Sequence, residues 1–135
     1  VEVKILLDTN AYSALMRSRP EVAEQVRKAE HVLMSTIVIG ELIFGFRNGT
    51  RYRQNIELLE SFVANRDVTV VPVTFTTADR FGRIAASLRA KGRLIPTNDI
   101  WIAAHTFETS ADLLSYDEHF SKVDGLNWIP LPPRK

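Results

Sequence analysis

Four acidic side chains occupy positions where chemistry is plausible: Asp8, Glu41, Asp99 and Asp117. Asp8 ends the apolar run Lys4-Ile-Leu-Leu7, and Asp117 lies just beyond the short run Leu113-Leu114. Asp99 falls in the first turn of a helix opened by Pro96-Thr-Asn. Each of these three has a bland reading, because a short carboxylate caps free backbone N–H groups and an acid suits the positive end of a helix. Glu41 is different. It is the only charged residue between Val32 and Phe46, in a helix that is apolar nearly all round. Burying an unpaired carboxylate there costs several kcal/mol. Its bland reading is an edge position that reaches solvent, and its chemical reading is a metal ligand.

Together the four make a stronger case than any one of them. Carboxylates that converge without a counterion repel, so that one or more must stay protonated, and a divalent cation removes that cost. All-oxygen ligation favours a hard ion, Mg²⁺ or Mn²⁺, over zinc. Thr9, Asn10, Asn98 and Ser115 stand beside the acids and are expected to orient them or to hold metal-bound water. Such a site suits hydrolysis of a phosphodiester, with an activated water as nucleophile and the ion neutralising the phosphate.

The elements that must position these residues alternate along the chain. Apolar runs at Lys4–Leu7, Val32–Met34, Val68–Val73, Leu113–Leu114 and Trp128–Ile129 read as strands. Between them lie helical patterns: to about Met16, from Pro20, from Ser35 or Thr36 to about Arg47, around Ile56–Val63, from Thr76 to Gly92, and to about Phe107. Thr76 with Asp79 reads as a capping box, and Asp117 to Lys122 as a helical turn. This order predicts an α/β fold with a parallel sheet of about four or five strands, covered on both faces by helices. Ligands in such folds bind beyond the carboxyl ends of the strands, where Asp8 and Asp117 stand.

The chain has 135 residues, 17 Lys+Arg against 16 Asp+Glu, 45% hydrophobic residues and no Cys. That size fits one domain, 1–135, with 130–135 expected as a loosely held tail. The absence of Cys excludes disulfides, Cys-based zinc, iron–sulfur ligation and thiol catalysis. A net charge of +1 gives no global pull toward nucleic acid or membrane, so such a partner must meet a local patch. No secretory leader is evident, and the longest apolar stretch is about 15 residues and contains Glu41, too short and too charged for a transmembrane helix. The expectation is a soluble, cytoplasmic protein without a membrane partner. Phosphate-binding-loop, dinucleotide and serine-hydrolase motifs are missing.

Four segments carry a family resemblance. Leu6-Leu7-Asp8-Thr9-Asn10, Glu41-Leu42-Ile43-Phe44-Gly45, Pro96-Thr97-Asn98-Asp99-Ile100-Trp101-Ile102-Ala103-Ala104 and Ser115-Tyr116-Asp117-Glu118-His119-Phe120 resemble the four motifs of PIN-domain ribonucleases. The short layout is most similar to the VapC toxins of bacterial toxin–antitoxin pairs, and the match spans nearly the whole chain. The resemblance implies a three-layer α/β/α fold and Mg²⁺- or Mn²⁺-dependent endoribonuclease activity that leaves a 5′-phosphate and a 3′-hydroxyl. It also implies a homodimer and a VapB-type antitoxin, with a higher-order complex on operator DNA. Metal ligation is carried to Asp8, Glu41, Asp99 and Asp117. Thr9 and Ser115 match supporting positions; Ser115 stands where Thr is commoner, and Asn98 where relatives are sometimes acidic.

Two basic clusters, Arg47, Arg51 and Arg53, then Arg89, Lys91 and Arg93, read either as contacts to RNA phosphates or as solvated loops. Phe44, Phe46 and Tyr52 offer base stacking, a partner groove or plain packing, and Ile37, Ile39, Ile43 and Phe46 offer a partner face. His31, His105 and His119 form no zinc-binding pair; His119 follows Asp117 by two, so it is read as lying either near the cleft or, the preferred reading, on the surface. Two other functions stay open: an antitoxin-binding module that acts through promoter autoregulation, and a nuclease of the same type acting on DNA.

Overall fold

The computed structural model describes residues 2–133. Its elements follow the alternation of the sequence: β1 (Lys4–Leu7), α1 (Thr9–Met16), α2 (Pro20–Lys28), β2 (His31–Ser35), α3 (Thr36–Arg47), α4 (Tyr52–Ala64), β3 (Val68–Val71), α5 (Phe75–Ala90), α6 (Thr97–Thr109), β4 (Asp112–Ser115) and β5 (Trp128–Pro130). A 3₁₀ turn, Glu118–Lys122, joins the last two strands.

All strand pairs are parallel, in the order β3-β2-β1-β4-β5. Helices flank the sheet, giving the three-layer α/β/α arrangement. Ile5, Leu6 and Leu7, with Val32, Leu33 and Met34 and with Leu113 and Leu114, are buried and make the centre of the core. Such continuous apolar runs are what a strand covered on both faces requires. From β1 the chain winds outward through β2 to β3, and then returns to place β4 on the other side of β1. The reversal opens a crevice at the carboxyl ends of β1 and β4, where Leu7 pairs with Leu114.

Several local expectations are corrected. The box at the start of α5 uses Thr74 and Thr77, not Thr76 and Asp79: the Thr74 N–H donates to Thr77 Oγ1 at 3.0 Å. Thr77 is buried and its hydroxyl donates to Glu108 Oε1 of α6 at 2.6 Å, whereas Asp79 faces outward and pairs with Arg83 one turn on. Strand β3 stops at Val71, because the Pro72 carbonyl turns to accept from His105 Nε2 at 3.1 Å. Pro130 pairs with Ser115, and Leu131 is buried with its N–H donating to the Ser115 carbonyl. The expected loose tail is therefore held at its first two residues, while Arg134 and Lys135 lie outside the described residues. On α3, Ile37, Ile39, Ile43 and Phe46 pack partly against the core, and it is Phe44, 68% exposed, that projects. Among the described residues no helix is long and apolar enough to cross a membrane.

Candidate functional site

Each of the four acids is delivered by a different piece of the fold to a cleft of about 510 Å³ lined by Asp8, Thr9, Asn10, Glu41, Pro96, Thr97, Asn98, Asp99, Ile102 and Asp117. Asp8 leaves β1 as the N-cap of α1. Its Oδ1 accepts the Ala11 N–H at 2.9 Å, and its Oδ2 accepts from the Ser115 hydroxyl. Ser115 is fully buried behind Asp8 at the end of β4, and its Oγ also accepts the Asp117 N–H at 2.9 Å. One hydroxyl thus ties the two strand ends together. Asp117 in turn caps the 3₁₀ turn, its Oδ1 accepting the His119 N–H at 2.8 Å.

Glu41 comes from α3. Both its oxygens are held: Oε1 accepts from Thr9 Oγ1 at 2.6 Å and Oε2 from Asn98 Nδ2 at 3.2 Å. The charge that looked costly in an apolar helix is therefore only half-buried, faces the cleft and is met by two donors. Asp99 sits in the first turn of α6, which begins at Thr97. Asn10 lines the cleft and is exposed.

The electrostatics are those of crowded anions. Burial pushes the Asp8 carboxyl up from 3.8 to about 6; the hydrogen bonds from Ser115 and Ala11 pull it back, and the charges of Asp99 and Asp117 add to the rise. Asp99 is raised as well, first by burial, then by Asp117 and Glu41, against the pull of His119. Four carboxylates facing one cleft, two of them, Asp8 and Asp99, disfavoured as anions, fit a hard divalent cation.

The expected basic residues are placed elsewhere. Arg47, Arg51, Arg53 and Arg93 are exposed and none lines the acidic cleft. Arg51 and Arg53 flank a separate depression with Thr50, Gln54 and Glu57, and Arg47 stacks its guanidinium 4.4 Å over the Tyr52 ring. Lys91 pairs with Asp124 instead of facing the acids.

Of the two placements open to His119, the structure takes the one beside the acids: Nδ1 is 3.2 Å from Asp99 Oδ2 and 3.0 Å from Asp117 Oδ1, with the ring still 43% exposed. The available signal was the Asp-x-His spacing: when Asp117 caps a tight turn, the residue two positions on is folded back beside it.

Residues 5–126 match the family described as PIN domain. The chain is 32% identical over 128 residues to ribonuclease VapC1 of Haemophilus influenzae, covering 91% of this chain and 94% of that protein. Its structure is similar to that of VapBC-1 from nontypeable Haemophilus influenzae, with a TM-score of 0.83, 31% identity, and coverage of 95% of this chain and 98% of that one. The fold is also that of VapBC2 from Rickettsia felis, solved bound to a DNA fragment from its promoter: TM-score 0.84, 22% identity, 96% and 100% coverage. The chain belongs to the PIN-domain family, in its VapC group.

Proposed function

We propose that the chain is the toxin of a toxin–antitoxin pair, an endoribonuclease dependent on Mg²⁺ or Mn²⁺. The observation that carries the reading is the convergence of Asp8, Glu41, Asp99 and Asp117 on one cleft at the switch point of a parallel sheet. Membership of the VapC group supports RNA as the substrate and a VapB-type antitoxin as the partner. The antitoxin complex, the homodimer and the cytoplasmic location belong to the same proposal, as does the treatment of 1–135 as one functional unit.

The four carboxylates are the residues that would hold the ion. When bound, such an ion supplies charge neutralisation at the phosphate and a lowered pKa for a water molecule. The chain's own residues do the rest. Ser115 and the Ala11 N–H fix the Asp8 carboxylate, and Thr9 with Asn98 fixes Glu41, so the acids are pre-oriented before substrate arrives. Asn10, exposed at the lip of the cleft, is assigned to the substrate backbone. Arg47, held by Tyr52, and Arg51, Arg53 and Arg93 are assigned to RNA phosphates away from the cut.

The test is cleavage of total RNA by wild type and by Asp8→Asn in Mg²⁺, Mn²⁺ and EDTA. Asparagine keeps an oxygen for the Ala11 N–H, so the fold survives the change. Discrete fragments with 5′-phosphate ends that require both the metal and Asp8 are expected, with activity lowered at least about a hundredfold in the variant, the scale of losing one preorganised electrostatic group. A folded Asp8→Asn protein with full activity would overturn the assignment. Wild-type protein, folded and free of antitoxin, that cuts neither RNA nor DNA would point instead to a binding module, and cleavage of DNA alone to a DNA nuclease.

A further inference from the structure

We propose that His119 is itself a ligand of the divalent ion, through Nδ1, and that this nitrogen makes the site select Mn²⁺ over Mg²⁺. The inference rests on the nuclease reading for the presence of an ion and goes beyond it in naming a nitrogen donor and the preferred metal.

Among the described residues, Asp99, Asp117 and His119 each offer one ligand atom, and the three atoms lie within 4.8 Å of one another. Nδ1 stands 3.0 Å from Asp117 Oδ1 and 3.2 Å from Asp99 Oδ2. Two donors in adjacent positions of an octahedral ion, with bonds of about 2.1 Å, are about 3.0 Å apart. The ring nitrogen is therefore spaced from both carboxylates as a co-ligand would be.

The backbone holds it there. The His119 N–H is bonded to Asp117 Oδ1, and the next residue, Phe120, is buried in the core, so the turn cannot swing outward without pulling an aromatic ring from its packing. Asp8, held by Ala11 and Ser115, and Glu41, held by Thr9 and Asn98, remain the other two carboxylates that would face the ion, since an oxygen that accepts one hydrogen bond keeps a lone pair for it. Asp99 lines the cleft and the adjoining His119 ring is 43% exposed, leaving room for water and a phosphate oxygen beside the ion.

Metal preference follows from donor chemistry. Mg²⁺ demands oxygen ligands and keeps its waters, whereas Mn²⁺ shares the hard-oxygen preference yet accepts imidazole more readily than Mg²⁺ does. Carboxylate oxygens only accept, so in the metal-free chain Nδ1 carries a hydrogen toward Asp99 and Asp117. Ligation needs the other tautomer: the Nδ1 proton goes to solvent, Nε2 keeps or takes up one from solvent, and the Nδ1 lone pair points at the ion.

Electron spin echo measurements on the full chain loaded with Mn²⁺ test this, beside binding titrations of Mn²⁺ and Mg²⁺ and the RNA-cleavage assay. Wild type should show nitrogen modulation from a coordinated ¹⁴N, altered by ¹⁵N-histidine labelling and absent in His119→Gln. The variant should lose Mn²⁺ affinity by about tenfold or more and Mg²⁺ affinity by less than about threefold. Labelling needs no substitution, so a variant that fails to fold does not spoil the test. Bound Mn²⁺ and metal-dependent cleavage without nitrogen coupling would overturn the role of His119 and leave the nuclease reading standing. Absence of Mn²⁺ binding altogether would overturn both.

Discussion

His105 shows how a single buried residue makes stability depend on pH. It is fully buried in α6 and bridges two elements, with Nε2 3.1 Å from the Pro72 carbonyl and Nδ1 2.8 Å from Ser35 Oγ. A carbonyl only accepts, so Nε2 carries the hydrogen and Nδ1 accepts from the Ser35 hydroxyl; Ser35 Oγ itself accepts the Ile37 N–H. Burial lowers the pKa of this imidazole below its ordinary 6.5, against the opposing pull of Pro72 and Glu108. The unfolded chain thus takes up a proton at a pH where the folded chain does not. The stabilisation from neutral His105 is complete above about 6.5 and is lost as pH falls below it. Urea unfolding at stepped pH should show this decline, and His105→Asn should be less stable at neutral pH and show a shallower decline. Equal slopes for the two proteins would show that His105 does not control it. At this scale Glu41 was legible because an apolar helix makes a charge conspicuous, whereas Asp8, Asp99 and Asp117, each a plausible cap alone, were legible only as a set carried by the four motifs. Capping and site formation also prove compatible: Asp8 and Asp117 do both, with Asp8 capping through one oxygen and meeting Ser115 through the other. His119 was only half legible: its spacing from Asp117 allowed a place near the cleft, but a lone histidine in a polar turn carries no such contrast until the turn's closure is known.

Elements were read correctly wherever periodicity and strand composition agreed, as along β1, β2 and α3. Their ends were misread where a side chain from another element decided the matter. Thr77 is the clearest case. Its hydroxyl accepts the Thr74 N–H and donates to Glu108 of α6, so the start of α5 is fixed by a helix that comes later in the chain. Nothing local distinguishes Thr74 with Thr77 from Thr76 with Asp79. Thr77→Val keeps the shape and removes both bonds, and should destabilise the fold by about 1–2 kcal/mol, since the groups left behind are partly reached by water. Denaturant unfolding reads this directly, and Asp79→Ala should shift the midpoint by well under half of that, as expected for an exposed ion pair. Comparable losses from the two substitutions would restore Asp79 to the cap.

The whole molecule pays a stability cost for its acidic cleft. Net charge is +1, yet the acids are concentrated at one end of the sheet while Arg51, Arg53 and Arg93 stand outside the cleft. Overall composition therefore conceals a strong local field, and only the strand order, which brings β1 beside β4, shows it. Asp8 is held in a setting that favours its neutral form, through burial and the neighbouring Asp99 and Asp117. Removing its charge should then stabilise the metal-free protein, the reverse of what most buried substitutions do. In EDTA at pH 7.5, Asp8→Asn is expected to melt above wild type. Saturating Mn²⁺ should reverse the order: an ion present at a hundred times its dissociation constant adds about 2.7 kcal/mol to the protein that binds it, enough to move the melting midpoint by several degrees. The variant, short of one ligand, should gain much less. A wild type that melts above Asp8→Asn in EDTA would mean that Ser115 and the Ala11 N–H already compensate the charge, and that the cleft needs no cation to be stable.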